Sequence, residues 1–167
     1  MLKVAFDLLL LRKHPMEDFN FSVRHSIILI TILGALTGLG DFNTSILNPL
    51  ARIFIGLGTT WFVFFFGVKF IGWWLKKKQY WNKEGSLFNV LAAASLIDIV
   101  SAALTVCGLP LLITLPLHIY SLIVFGNAVK GATNSGLGYA ILGLVLWTIV
   151  VMVIVVIIGL ARGFLFL

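Results

Sequence analysis

Residues 139–161 read YAILGLVLWTIVVMVIVVIIGLA, an apolar run of 23 residues with no charged side chain. At 1.5 Å per residue such a run makes a helix of about 34 Å, enough to cross a hydrocarbon core of about 30 Å. A buried helix of a soluble domain rarely needs that length without one polar face. The stretch therefore predicts a transmembrane span that faces lipid over much of its surface.

Working outward, four more apolar runs precede it. The first covers about Ser26 to Gly40, with Phe21 as its earliest start, and the second about Ile53 to Leu75. The third runs from about Leu87 to Gly108. After a tight turn at Leu109-Pro110 the fourth continues to about Ala128, with Pro116 inside it and a kink expected there. Asp41–Pro49 and Gly131–Gly136 read as turns. The expected architecture is all-α: a polytopic bundle of five transmembrane helices, residues 24–167, preceded by an N-terminal segment, residues 1–23. Within that segment Val4–Leu11 reads as a short helix on the membrane surface, with Lys3, Arg12 and Lys13 near lipid headgroups; a disordered tail is the other reading.

Composition agrees. The 167 residues are 60% hydrophobic and 11% charged, with mean hydropathy +1.11, whereas soluble domains carry about 25% charged residues. The net charge of +6 is spread thinly between apolar runs, which suits membrane topology and excludes a phosphate-tracking nucleic-acid groove. A single cysteine, Cys107, permits neither an intrachain disulfide nor a cysteine metal cluster. A cleaved leader is not expected, because Asp7 interrupts the apolar start and Arg12-Lys13-His14-Pro15 stand where small residues belong.

Charge placement orients the bundle. With the N-terminus inside, nine basic residues fall in cytoplasmic segments (Lys3, Arg12, Lys13, Arg24, Lys76, Lys77, Lys78, Lys83 and Lys130) and two outside, Arg52 and Arg162. Such asymmetry in short loops puts the N-terminus in the cytoplasm. A bacterial plasma membrane is the expected location, an ER or Golgi membrane the eukaryotic equivalent. Trp73, Trp74, Tyr80 and Trp81 flank Lys76, Lys77 and Lys78, as aromatic rings do at headgroup depth. Together with Lys83 these lysines form an expected contact for anionic lipids.

Three ionisable groups lie inside spans: Lys69, Asp98 and His118. Each costs about 2.5–3.5 kcal/mol at a helix centre on insertion scales. Lys69 lies six residues before the end of its span, about 9 Å deep, and its stem can snorkel to the surface. Asp98 is mid-span and too short to do so. Ser95, Ser101, Ala102 and Thr105 recur with it at three- and four-residue spacing, a small polar stripe that must face the bundle or a wet cavity. Asp98 stands eleven residues before the Leu109 turn and His118 nine after it, so their depths differ by about 3 Å. Tyr120 matches that depth. The group Asp98, His118, Tyr120, Ser101 and Lys69 is the expected intramembrane polar site, either a helix-joining hydrogen-bond cluster or a place for a proton, ion or lipid headgroup. Gly34 and Gly38 have the spacing that lets helices approach closely, here expected within the protein.

No GxSxG, HExxH, Walker A or dinucleotide motif is present, so no enzyme, cofactor or metal site is expected; His14 and His25 lack a ligand cluster. Asn43-Thr44-Ser45 is a formal glycosylation sequon, taken as chance.

The chain also resembles the Yip family of five-span membrane proteins named for interaction with Rab-type GTPases, in its bacterial-type form. The resemblance rests on Leu11-Arg12-Lys13-His14-Pro15 before the first span and Gly85-Ser-Leu-Phe-Asn-Val90 opening the third. The Gly108-Leu109-Pro110 turn, Tyr120-Ser121-Leu122 and Ala128-Val129-Lys130-Gly131 before an aliphatic last span complete it. The long N-terminal region and Asp-Leu-Tyr-Gly-Pro type motif of eukaryotic members are missing here, which argues against a small GTPase as partner. The leading functional expectation is a non-enzymatic scaffold or accessory subunit that packs against membrane proteins or itself, drawn from the lack of catalytic groups, the very short loops and the small-residue faces around Gly34/Gly38 and Ala92–Ala94. The other is an oligomeric channel or transporter subunit moving a proton, ion or lipid past Asp98 and His118.

Overall fold

The computed structural model describes residues 1–40, 48–82 and 84–165. Its helices are α1 (Leu2–Leu9), α2 (Val23–Gly40), α3 (Pro49–Lys76), α4 (Leu87–Ala94), α5 (Leu96–Val106), α6 (Leu111–Ala132) and α7 (Leu137–Leu165), with one 3₁₀ turn at Met16–Phe19. Five stretches are long and apolar enough to cross a membrane: α2, α3, α4 with α5, α6 and α7. The all-α five-span bundle is thus the observed fold. The Asp41–Pro49 turn and the Asn43 sequon fall mostly or wholly on residues 41–47, outside the described residues, as does Lys83.

Each span starts and stops for local reasons. The Asn48 side chain accepts from the Ala51 amide at 2.7 Å and Pro49 occupies the first helical position, a strong start for α3. Ser86 caps α4 by accepting from the Asn89 amide. Gly108, at φ +84°, reverses the chain between α5 and α6. α6 runs as one helix through Pro116 and continues to Ala132, so the following loop is shorter than the expected Gly131–Gly136. The third span differs more. It is interrupted at Ser95, whose hydroxyl donates to the Ala92 carbonyl at 2.8 Å, a local bond that competes with the helical ladder.

Helices α2 and α3 form the closest pair. A Cβ on Gly34 would meet the Leu57 backbone at 3.0 Å, and Cβ atoms on Gly38 or Gly56 would collide with the opposite backbone at Arg52 and Gly38 respectively. The Gly34/Gly38 spacing therefore serves packing inside one chain. Ala92, Ala93 and Ala94 are likewise fully buried within it.

One end of the bundle gathers the N-terminal segment, the Lys76–Lys78 turn and the α6–α7 loop; we call it the basic end. Trp74 Nε1 donates to the Tyr139 carbonyl at 3.1 Å while Tyr139 donates to the Trp74 carbonyl at 2.9 Å, and the Asn134 amide reaches the Tyr80 carbonyl. The core is concentrated there, around Leu75, Leu87, Val90, Val124, Ala128 and Leu144. At the opposite end the spans are more open; along α7 Ile149, Met152, Val153 and Val156 are all exposed, as expected of a lipid-facing last span.

The N-terminal helix is not simply laid on the membrane surface. Ala5 and Leu8 are fully buried against the bundle, while Leu2, Phe6 and Leu10 form an outward stripe at four-residue spacing. α1 closes with Leu11 at φ +57°, the Arg12 amide donating to the Asp7 carbonyl and the Leu11 amide to the Leu8 carbonyl. That cap is normally given to glycine and costs leucine about 1 kcal/mol. Tertiary contacts hold it. Tyr120 donates to the Leu9 carbonyl at 2.6 Å, Asn127 to the Arg12 carbonyl at 3.3 Å, and the His14 backbone crosses α6 at Gly131. His14 then bridges Asp18 at 2.8 Å and Asp7 at 3.5 Å, with Arg12 on Asp7 as well. Replacing His14 by Ala is expected to speed proteolytic trimming of the first 20 residues severalfold, read by limited digestion, with the rest of the bundle unchanged.

Candidate functional site

Between α2, α3, α5, α6 and α7 lies a cavity of about 660 Å³. Its residues run from Gly40 and Thr105, near the end opposite the lysines, to a floor at Ile71, Leu91 and Leu144. Leu91 to Thr105 is fourteen residues, about 21 Å at the helical rise. The cavity is open, for Thr37, Thr59 and His118 line it yet remain exposed.

The predicted stripe is on its wall. Ser95, Asp98, Ser101, Ala102 and Thr105 all face the cavity, and His118, Ser121, Leu122 and Phe125 face them from α6 at matching helical spacing. Asp98 has the Ser121 hydroxyl and the His118 ring as its polar neighbours. Among the described residues no Lys, Arg or His nitrogen stands within 4.0 Å of its carboxylate, the ion pairs being confined to the N-terminal segment. Asp98 and His118 thus share one cavity without forming a direct pair. His118 Nδ1 lies 2.8 Å from the Thr114 carbonyl, which can only accept, so Nδ1 carries the proton. In the neutral ring Nε2 is then the acceptor.

Two members of the expected site are elsewhere. Tyr120 is turned to the Leu9 carbonyl. Depth alone placed it beside Asp98; at 100° per residue it stands about 200° around the helix from His118, on the other face. Lys69 is on the outside of the bundle, its ammonium 5.4 Å from the Phe65 ring centroid, away from the cavity. Lys76, Lys77 and Lys78 are exposed at the basic end, with Lys76 over Trp81 and Lys77 over Trp73 at 5.6 and 3.9 Å.

Sequence reasoning missed the contribution of the other spans: Thr37, Thr59, Thr60 and Thr148 as cavity hydroxyls, and Phe64 and Trp147 as aromatic walls. The one available signal was Ser121, three residues after His118 and so on its face. Trp147 also packs against Gly67, where a Cβ would stand 2.8 Å from Nε1. On its far side a groove of about 350 Å³ between α3 and α7, lined by Phe62, Val151 and Ile154, shares Thr59, Val63 and Trp147 with the cavity. The groove and the cavity thus share a wall at Trp147.

Among the described residues no group of three or more His, Cys, Asp or Glu side chains is placed to hold a metal ion. The five spans define a polytopic helical membrane protein. No family model, curated protein or solved structure matches the chain, so the Yip resemblance rests on the sequence features alone.

Proposed function

We propose that this membrane protein binds, and as a carrier or transporter subunit passes on, a small amphipathic molecule held in the cavity beside Asp98. The observation that carries this reading is a carboxylate without a cationic partner on the wall of an open, mostly apolar space of about 660 Å³. Ligand pockets of about 300–1,000 Å³ with apolar walls and few polar groups are the usual form for small molecules. A carboxylate retained mid-span is costly unless it has work to do. The small-residue faces that entered the scaffold reading, Gly34/Gly38 and Ala92–Ala94, pack within the chain, which favours the cavity over those faces as the place to look for a partner molecule.

Ala102→Phe adds a ring to the cavity wall without altering charge. Native mass spectrometry of gently extracted protein is expected to show a bound amphiphile in the parent chain and its loss in this variant. Equal adducts in both would overturn the reading.

The positive-inside rule supports a cytoplasmic N-terminus and hence a cytoplasmic basic end, and we place the protein in a bacterial plasma membrane as part of this proposal. Cys107, the single cysteine, is exposed in the turn at the opposite end. In sealed right-side-out vesicles a membrane-impermeant maleimide is expected to label it without permeabilisation; labelling only after lysis would reverse the orientation. The Lys76–Lys78 cluster suits anionic headgroups. Changing all three to Gln should remove most of the thermal stabilisation given by phosphatidylglycerol over phosphatidylcholine.

A further inference from the structure

The charge of the cavity is one-sided, and much of its hydrogen-bonding capacity leans the same way. Five of its hydroxyls already donate to carbonyls of their own helices: Thr37 to Leu33, Ser95 to Ala92, Thr105 to Ser101, Ser121 to His118 and Thr148 to Leu144, at 2.8–3.1 Å. A hydroxyl has one proton and two lone pairs, so these groups offer an entering molecule acceptors only. The His118 Nδ1 proton is spent on the Thr114 carbonyl, leaving Nε2 as an acceptor in the neutral ring. Asp98 is anionic or, if protonated, has a single proton to give. Among the described residues no Lys or Arg lines the space.

Resting on the reading above, we infer that the ligand is a lipophilic cation, an alkylammonium-type molecule whose charged nitrogen sits between Asp98 and the hydroxyls while its hydrocarbon lies along the apolar walls. An anion would meet a carboxylate and, among the described residues, no cationic side chain, with only neutral donors such as the Ser101, Thr59 and Thr60 hydroxyls and Trp147 Nε1 to answer it. A bare metal cation needs six or more oxygen ligands or a ligand cluster, and this wall has one carboxylate. An ammonium needs only a carboxylate and a few lone pairs, and the Phe64, Phe125 and Trp147 rings give its charge π-faces as well.

The test compares three probes with one decyl chain at neutral pH: decylammonium, decanol and decanoate. Equilibrium dialysis below their micelle concentrations measures binding to the intact protein in amphipol. The ammonium is expected to bind at least tenfold tighter than the other two. Asp98→Asn should bring it to the level of decanol and leave decanol unchanged. Equal binding of the three by the parent protein, a comparison that needs no variant, overturns the cation assignment, as does a preference that survives Asp98→Asn. Decanol binding that disappears in Ala102→Phe would still uphold the cavity as a binding site. No probe binding at all would remove both.

Discussion

Replacing Asn89 by Leu is expected to destabilise the protein by about 3–6 kcal/mol, because one buried side chain holds three partners that would be left without one. Its Nδ2 donates to the Phe19 and Phe21 carbonyls at 2.9 and 2.8 Å, and its Oδ1 accepts from Ser26 at 2.8 Å. Asn89 and Ser26 are 2% and 0% exposed, so water cannot take over. An isosteric apolar side chain fills the space yet answers none of the three groups. The chain entering the first span would lose its attachment to α4, and α1 would lose its register against the bundle. Thermal unfolding followed by size exclusion measures the effect. Asn127→Leu is the useful contrast, since it breaks a single bond at 3.3 Å and should cost about 1 kcal/mol.

Gly56→Ala is expected to be nearly as damaging, by about 3 kcal/mol or more, although it adds a single methyl to a helix. The new carbon would overlap the Gly34 carbonyl and the Gly38 backbone, atoms that move only if all of α2 moves. Because α2 also packs on α4 and α5, its displacement would reach the cavity wall. Gly58→Ala, two residues on, meets nothing within 4 Å and should be neutral or slightly stabilising, since alanine suits a helix better by about 1 kcal/mol. Comparable losses in both variants would mean that the close approach at Gly56 is not what sets the effect.

The spans were legible because they are what the sequence repeats most: long uncharged runs broken by turns, lysines and interfacial aromatics. The Asp98 stripe was legible for the same kind of reason, a small polar residue every three or four positions. The break at Ser95 was not, because a hydroxyl bonding its own helix looks no different in sequence from one facing a neighbour. Tyr120 shows the weakness of reasoning from depth without angle. The docking of α1 was hidden too. Its Ala5 and Leu8 face the bundle while Leu2 and Phe6 face outward, and an apolar residue does not announce whether lipid or protein will cover it. The cavity belongs to five spans at once, and its Thr37, Thr60 and Thr148 are unremarkable singly. Only their convergence gives them a role.

The most direct measurement is a structure of the protein extracted with its native lipids, at a resolution that reveals small-molecule density. The account predicts elongated density in the cavity, its hydrocarbon along Phe64 and Trp147 and its polar end within hydrogen-bonding distance of Asp98. A cavity closed by its own side chains, or filled by a helix of another chain, would contradict it.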